Sequence, residues 1–173
     1  MKKTKLIAIN GIGIALFVAL SLCLQIPVFE NYYLCLGYVV MAVYCYSVGP
    51  ISGTIVGVLG TVLYCLLING LRGMPGWAIG NLFIGLGIGC FFKDAKKIKS
   101  TFASNAISIF GIIVFTTLGI LFFKSCVEHL LYAQPILVRM ASNTPAYIAD
   151  VFMLLVSFPI CKILDPHLKK LIK

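Results

Sequence analysis

Six apolar runs, each close to 20 residues long, follow one another through this chain with only short polar or basic gaps between them, and no other feature restricts its fold as strongly. A bilayer core about 30 Å thick takes about 20 apolar residues per helix. The runs fall at 6–26, 31–48, 51–68, 75–92, 102–123 and 145–164. An open sheet leaves backbone groups unpaired in lipid, and no segment shows the sustained alternation of a barrel strand. The expected fold is an all-α integral membrane protein, a compact bundle of six transmembrane helices in one domain over 1–173. Composition agrees, because 61% apolar residues with 14 Lys/Arg and 5 Asp/Glu leave too little polar surface to cover a soluble globule.

Basic residues set the orientation. With both termini in the cytoplasm, Lys2, Lys3, Lys5, Lys93, Lys96, Lys97, Lys99, Lys162, Lys169, Lys170 and Lys173 lie inside, and only Arg72, Lys124 and Arg139 lie outside. The net charge of +9 then needs no nucleic acid, since anionic head groups of membrane lipid at the inner leaflet account for it. The stretch "DPHLKKLIK" is expected as an interfacial tail, and the first run as a retained span, because no A-x-A cleavage site follows it.

Catalytic and metal chemistry find no candidate. None of the seven cysteines forms C-x-x-C, and all but Cys126 fall within or beside apolar runs, as small buried hydrophobes do. Cys35 and Cys126 both fall near the outer face, and the sequence leaves open whether they pair. His129, expected in the outer loop between spans five and six, and His167 in the tail have no second ligand at metal spacing. No cofactor is implied.

Small residues recur at helical spacing instead. Gly11, Ala15 and Ala19 stand four apart along span one, span three carries Gly53, Gly57 and Gly60, and span four carries Gly76, Gly80, Gly85, Gly87 and Gly89. Such stripes let helices approach closely in lipid. Those of spans three and four are expected to pack inside the bundle; that of span one suits either bundle packing or another membrane protein.

The polar groups of the spans gather at one end. Arg72, Trp77 and Asn81 fall at the outer end of span four, with Trp77, Asn81 and Gly85 on one helix face. Span six opens "SNTPAYIAD", where Thr144 is expected as the N-cap, Pro145 as the first helical residue, and Tyr147 and Asp150 as a same-face pair. That start puts Asp150, the one acid clearly within a span, about 8 Å below the helix mouth. An acid at such a depth needs pairing or solvation. Two readings stay open: a structural Asp150 bonded to a neighbouring helix, or a ligand pocket formed by Arg72, Trp77, Asn81, Asn143, Tyr147 and Asp150 with Arg139 from the fifth loop. Trp77 also suits the interfacial aromatic belt.

Taken in order, these features resemble the substrate-binding S component of an energy-coupling factor (ECF) transporter. The matching stretches are "ALFVA" at 15–19 as an A-x-x-x-A stripe, "VGPISGTIVGVLG" at 48–60 as a Gly-Pro turn with a glycine-rich third helix, and "PGWAIGNLFIGLGIG" at 75–89. The resemblance implies a subunit that binds a B vitamin or similar micronutrient at the outer face. It also implies docking to a transmembrane coupling protein driven by two cytoplasmic ATPases, with Gly11, Ala15 and Ala19 at the coupling interface. The chain has no Walker A sequence, so ATP hydrolysis belongs to those partners and not to this chain.

The charges bear on the ligand. The expected ligand is a carboxylate vitamin, pantothenate first, held by Arg72 and Arg139; the alternative is a neutral heteroaromatic such as pyridoxine or hydroxymethylpyrimidine on Asp150 and Asn81, stacked with Trp77 or Tyr147. A small assembly protein of the membrane is the rival from another class, and it has no use for the outer polar cluster. A self-sufficient secondary transporter predicts an internal repeat with broken helices in both halves, and no matching pair is present.

Overall fold

The computed structural model describes residues 3–23, 26–29, 32–68 and 70–172. Helix α1 (Lys3–Cys23) leads into a short hairpin of β1 (Ile26–Phe29) and β2 (Tyr32–Leu34), antiparallel with Ile26 opposite Leu34. Then follow α2 (Gly37–Ser47), α3 (Pro50–Leu67), α4 (Met74–Ala95) and α5 (Thr101–Thr116). A π-helical stretch (Thr117–Lys124) continues α5 into α6 (Ser125–Tyr132), and α7 (Ile136–Ile172) closes the chain. Five of the described helical segments are long and apolar enough to cross a bilayer, one of them the continuous run Thr101–Tyr132.

The second expected span is where sequence and structure part most. Its expected start, Asn31, lies outside the described residues, and the helix proper begins at Gly37 and holds 11 residues. Pro27 explains why the preceding helix does not run on, because it disfavours helical geometry at Ile26. The β-branched and aromatic composition of "IPVF" and "YYL" then favours strands. Helix α2 is short because it is central: Tyr38, Met41, Ala42 and Cys45 are almost wholly enclosed by α1, α3, α4 and α7. A helix apolar on every side is a buried helix.

The sixth span is longer than expected. Thr144 is no N-cap; its hydroxyl donates to the Met140 carbonyl within a helix that began at Ile136. Pro145, Pro159 and Pro166 all lie inside α7. Each removes one backbone donor, and Ser142 beside the first turns its hydroxyl to the Val138 carbonyl. The tail "DPHLKKLIK" continues the same helix as far as Ile172.

Backbones meet closely where glycine permits it. A Cβ on Gly85 would stand 2.7 Å from Thr54 Cα, one on Gly89 2.5 Å from Pro50 Cα, and one on Gly80 2.9 Å from the Gly119 carbonyl oxygen. The stripes of α3 and α4 therefore pack inside the bundle. Gly49 turns the chain between α2 and α3 with a φ of 134°, a conformation that L side chains rarely adopt. Phe17, Tyr38, Val56, Ile84, Ile88, Phe92, Ile112 and Leu154 form the core between these contacts.

Candidate functional site

The polar side chains of the bundle meet at the end where α1, α3 and the π-helical stretch finish and α2, α4 and α7 begin. Tyr38, on the first turn of buried α2, is the hub. Its hydroxyl accepts from the Trp77 indole at 2.9 Å and stands 2.8 Å from Asn81 Oδ1 and 3.1 Å from Asp150 Oδ2. Asn81 in turn donates through Nδ2 to Thr61 Oγ1 at 2.6 Å. One phenol thereby ties three helices directly, since Tyr38 belongs to α2, Trp77 and Asn81 to α4 and Asp150 to α7, and Asn81 extends the tie to Thr61 of α3. Tyr38 and Asn81 are 0% exposed, so these groups have no water to fall back on.

A second polar cluster lies beside the first. Glu128 of α6, 5% exposed, accepts from Asn143 Nδ2 at 2.9 Å and stands 3.5 Å from Lys124 Nζ and 3.7 Å from Arg139 Nε. Lys124 also donates to Asn143 Oδ1, and Asn143 to Ser125 Oγ at 3.0 Å. The Arg139 guanidinium lies over the Tyr132 ring at 4.7 Å, and Arg72 over the same ring at 5.4 Å. Gly76 admits the cluster to α4, for a Cβ there would come 3.1 Å from Glu128 Cγ and 3.2 Å from Lys124 Cγ.

Between the clusters lies a cavity of about 530 Å³. Trp77, Asp150, Lys124, Glu128, Arg139 and Asn143 contribute its polar wall; Leu34, Cys35, Cys65, Ile120 and Ala146 contribute its apolar one. That volume lies within the 300–1,000 Å³ typical of small-molecule sites, and the mixture of an apolar wall with a few convergent polar groups is their usual character.

Of the side chains expected at a pocket, Trp77, Arg139, Asn143 and Asp150 line this cavity. Asn81 stands one layer behind, bonded to Tyr38 and Thr61. Tyr147 departs from Asp150 and meets Thr117 Oγ1 at 3.1 Å, while Arg72 is exposed and does not line the cavity. Asp150 is bonded to Tyr38, not to either arginine. With α7 starting at Ile136, Asp150 lies about 21 Å along the helix, not about 8 Å. Residues 125–132, read from sequence as loop, are helical, so His129 lies on α6 and Arg139 in the first turn of α7. Cys35 and Cys126 are both free thiols.

Sequence reasoning missed Tyr38, Thr61, Lys124 and Glu128. The spacing of four between Lys124 and Glu128 and between Arg139 and Asn143 was the available signal, since such pairs share a helix face. Glu128 is thus a second buried acid beside Asp150.

Residues 1–165 match the family described as ECF-type riboflavin transporter, S component. The chain belongs to this S-component family. Among curated relatives, a UPF0397 protein of Streptococcus pneumoniae serotype 19F (strain G54) is 32% identical over 158 residues, covering 84% of this chain and 85% of the relative. A UPF0397 protein of Lactococcus lactis subsp. cremoris (strain NZ9000) is 31% identical over 114 residues, covering 64% of this chain, and the match spans 61% of the relative's length. No solved structure matches. In this S component Gly11, Ala15 and Ala19 lie on the outward surface of α1, where a Cβ added to Gly11 meets nothing within 4 Å. Ile12 and Leu16 beside them are exposed as well.

Proposed function

We propose that this chain is the substrate-binding subunit of an ECF importer, with the 530 Å³ cavity as its ligand site and a neutral, planar vitamin as its ligand. Charge balance carries that choice. The described cavity wall holds two cations, Lys124 and Arg139, and two acids, Glu128 and Asp150, so its formal charge is zero. A carboxylate brought into it lacks a free counter-ion, because Glu128, within 4 Å of both cations, and Asp150 together match their charge. The family description names riboflavin, whose uncharged ring system offers carbonyl acceptors and an imide N–H to such a wall and a face to Trp77. An assembly protein has no need of a cavity with these groups.

Six passages of the membrane, with α2 as the short second one, bring both termini to the cytoplasm and open the cavity outward, as the eleven basic residues at the inner face support. The exposed Gly11/Ala15/Ala19 stripe serves as the docking surface for a transmembrane coupling protein, which two cytoplasmic ATPases drive. Pantothenate is the second reading. It is favoured by Arg139 Nε, a buried donor without a hydrogen bond.

The test is native mass spectrometry of gently extracted protein against riboflavin, pyridoxine, hydroxymethylpyrimidine and pantothenate. Retention of one riboflavin per chain is expected. Selective retention of pantothenate would replace the ligand reading, and retention of nothing across the panel would count against the S-component function itself.

A further inference from the structure

We infer that Glu128 is a specificity residue: together with Asp150 its carboxylate balances the Lys124 and Arg139 charges in the cavity wall and thereby excludes anionic congeners of the ligand, above all its phosphate ester. The inference rests on the reading of the cavity as the ligand site. Lys124 and Arg139 by themselves form the pair of cations that ordinarily captures a phosphate or carboxylate. Glu128 prevents it from that position, with Oε1 3.5 Å from Lys124 Nζ and Oε2 3.7 Å from Arg139 Nε, at 5% exposure.

Its hold on Arg139 is electrostatic without being a good hydrogen bond. At 3.7 Å the Nε donor remains without a hydrogen-bond partner although it is buried. The guanidinium charge is therefore offset in part by the shared carboxylate, and its Nε still has a donor to offer an uncharged carbonyl. Asn143 fixes the arrangement by giving Nδ2 to Glu128 and taking the Lys124 ammonium on Oδ1. An uncharged ligand meets donors and acceptors in balance. A phosphate ester or carboxylate meets Glu128 and Asp150 with no uncompensated cation to offset them, and like charges brought into one cavity repel.

The cell-biological sense of such a filter is chemical. A phosphate ester is the charged, metabolically committed form of an alcohol-bearing vitamin, and a carrier for the uncharged form needs a group that rejects it.

The experiment compares dissociation constants for riboflavin, riboflavin 5′-phosphate and pantothenate between the unaltered protein, Glu128→Gln and Glu128→Asp in detergent. Glu128→Gln is expected to shift the ratio of anionic to neutral affinity by at least tenfold toward the anion, equivalent to about 1.4 kcal/mol. Glu128→Asp, which retains the charge, is expected to return the ratio to within about threefold of the unaltered protein. An unchanged ratio in Glu128→Gln overturns the inference. If Glu128→Gln cannot be purified folded, Arg139→Gln reads the same balance from the other side, and its affinity for the cationic probe thiamine should rise at least tenfold; no rise also overturns it. Failure of the unaltered protein to bind riboflavin would undo the ligand reading alone; the inference is then read from the absolute pantothenate affinity, which should rise at least tenfold in Glu128→Gln over the unaltered protein, and no rise overturns it.

Discussion

Tyr38→Phe removes one oxygen atom from the centre of the bundle and leaves its shape intact. The ring keeps its edge-on contact with Phe17, whose centroid is 6.4 Å away, so no cavity opens. What changes is hydrogen bonding, as the Trp77 indole, Asn81 Oδ1 and Asp150 Oδ2 all lose the phenol. Asn81 is fully enclosed, and a buried acceptor left without a partner costs about 1–3 kcal/mol. Trp77 and Asp150 border the cavity, where water can take the vacated position at about 1 kcal/mol or less in total. The expected destabilisation is therefore about 1–4 kcal/mol. Denaturant unfolding in mixed micelles measures it, and the chain's single tryptophan, Trp77, reports from the site through its own emission. Thr61→Val, which cuts the same chain of hydrogen bonds at its far end, should be less than additive with Tyr38→Phe, because both leave Asn81 partly unpaired. A loss below about 0.5 kcal/mol with an unaltered emission spectrum would refute the view of Tyr38 as the hub, and full additivity would refute the coupling through Asn81.

Three further outcomes follow from the same geometry. Replacing Ala15 and Ala19 together with Leu or Trp should leave ligand affinity within about twofold yet abolish uptake in cells carrying the coupling module, because bulky groups stand off a partner helix; normal transport would remove the stripe from the docking surface. Gly85→Ala should destabilise by about 1–3 kcal/mol in the same unfolding assay, since its Cβ meets Thr54 backbone at 2.7 Å, whereas Gly11→Ala, with open space around it, should stay within about 1 kcal/mol of the parent. Arg139→Gln should weaken ligand binding about tenfold or more by titration calorimetry, and Arg72→Gln by less than about twofold, because only Arg139 lines the cavity; equal losses would contradict the placement of Arg72 outside it.

The sequence announces its helices well where a long apolar run decides the matter and poorly where partners do. Spans three to five begin within a residue of expectation, at Pro50, Met74 and Thr101, because Gly49-Pro50, Met74-Pro75 and Ser100 are local start signals that need no tertiary context. Helix α2 is different: hydropathy makes no distinction between a residue turned to lipid and one enclosed by four helices, so "NYYLCLG" read as the start of a span. Pro145 misled in the opposite sense, for proline marks a helix start in water but is tolerated inside a membrane helix, as here within Ile136–Ile172. At the site, Trp77, Asn81 and Asp150 were legible because a polar group in an apolar run must have a reason. Tyr38 was hidden among eight tyrosines, and Glu128 was hidden by the reading of its helix as loop.

The π-helical stretch Thr117–Lys124 has a bearing on how relatives of this chain are to be compared. A widened turn accommodates one residue more than an α-helical turn of the same rise, and each residue advances an α-helix by about 100°. A relative that lacks a single residue here would keep the same hydropathy, the same helix and nearly the same length. Because the widened turn absorbs that residue, everything after the gap would keep its facing, and the counterparts of Lys124 and Glu128 would stay beside Gly76 in the cavity wall. One-residue gaps between 117 and 124 are therefore compatible with a shared vestibule, whereas the same gap in an α-helical stretch such as Thr101–Thr116 would turn all that follows by about 100° and break it up.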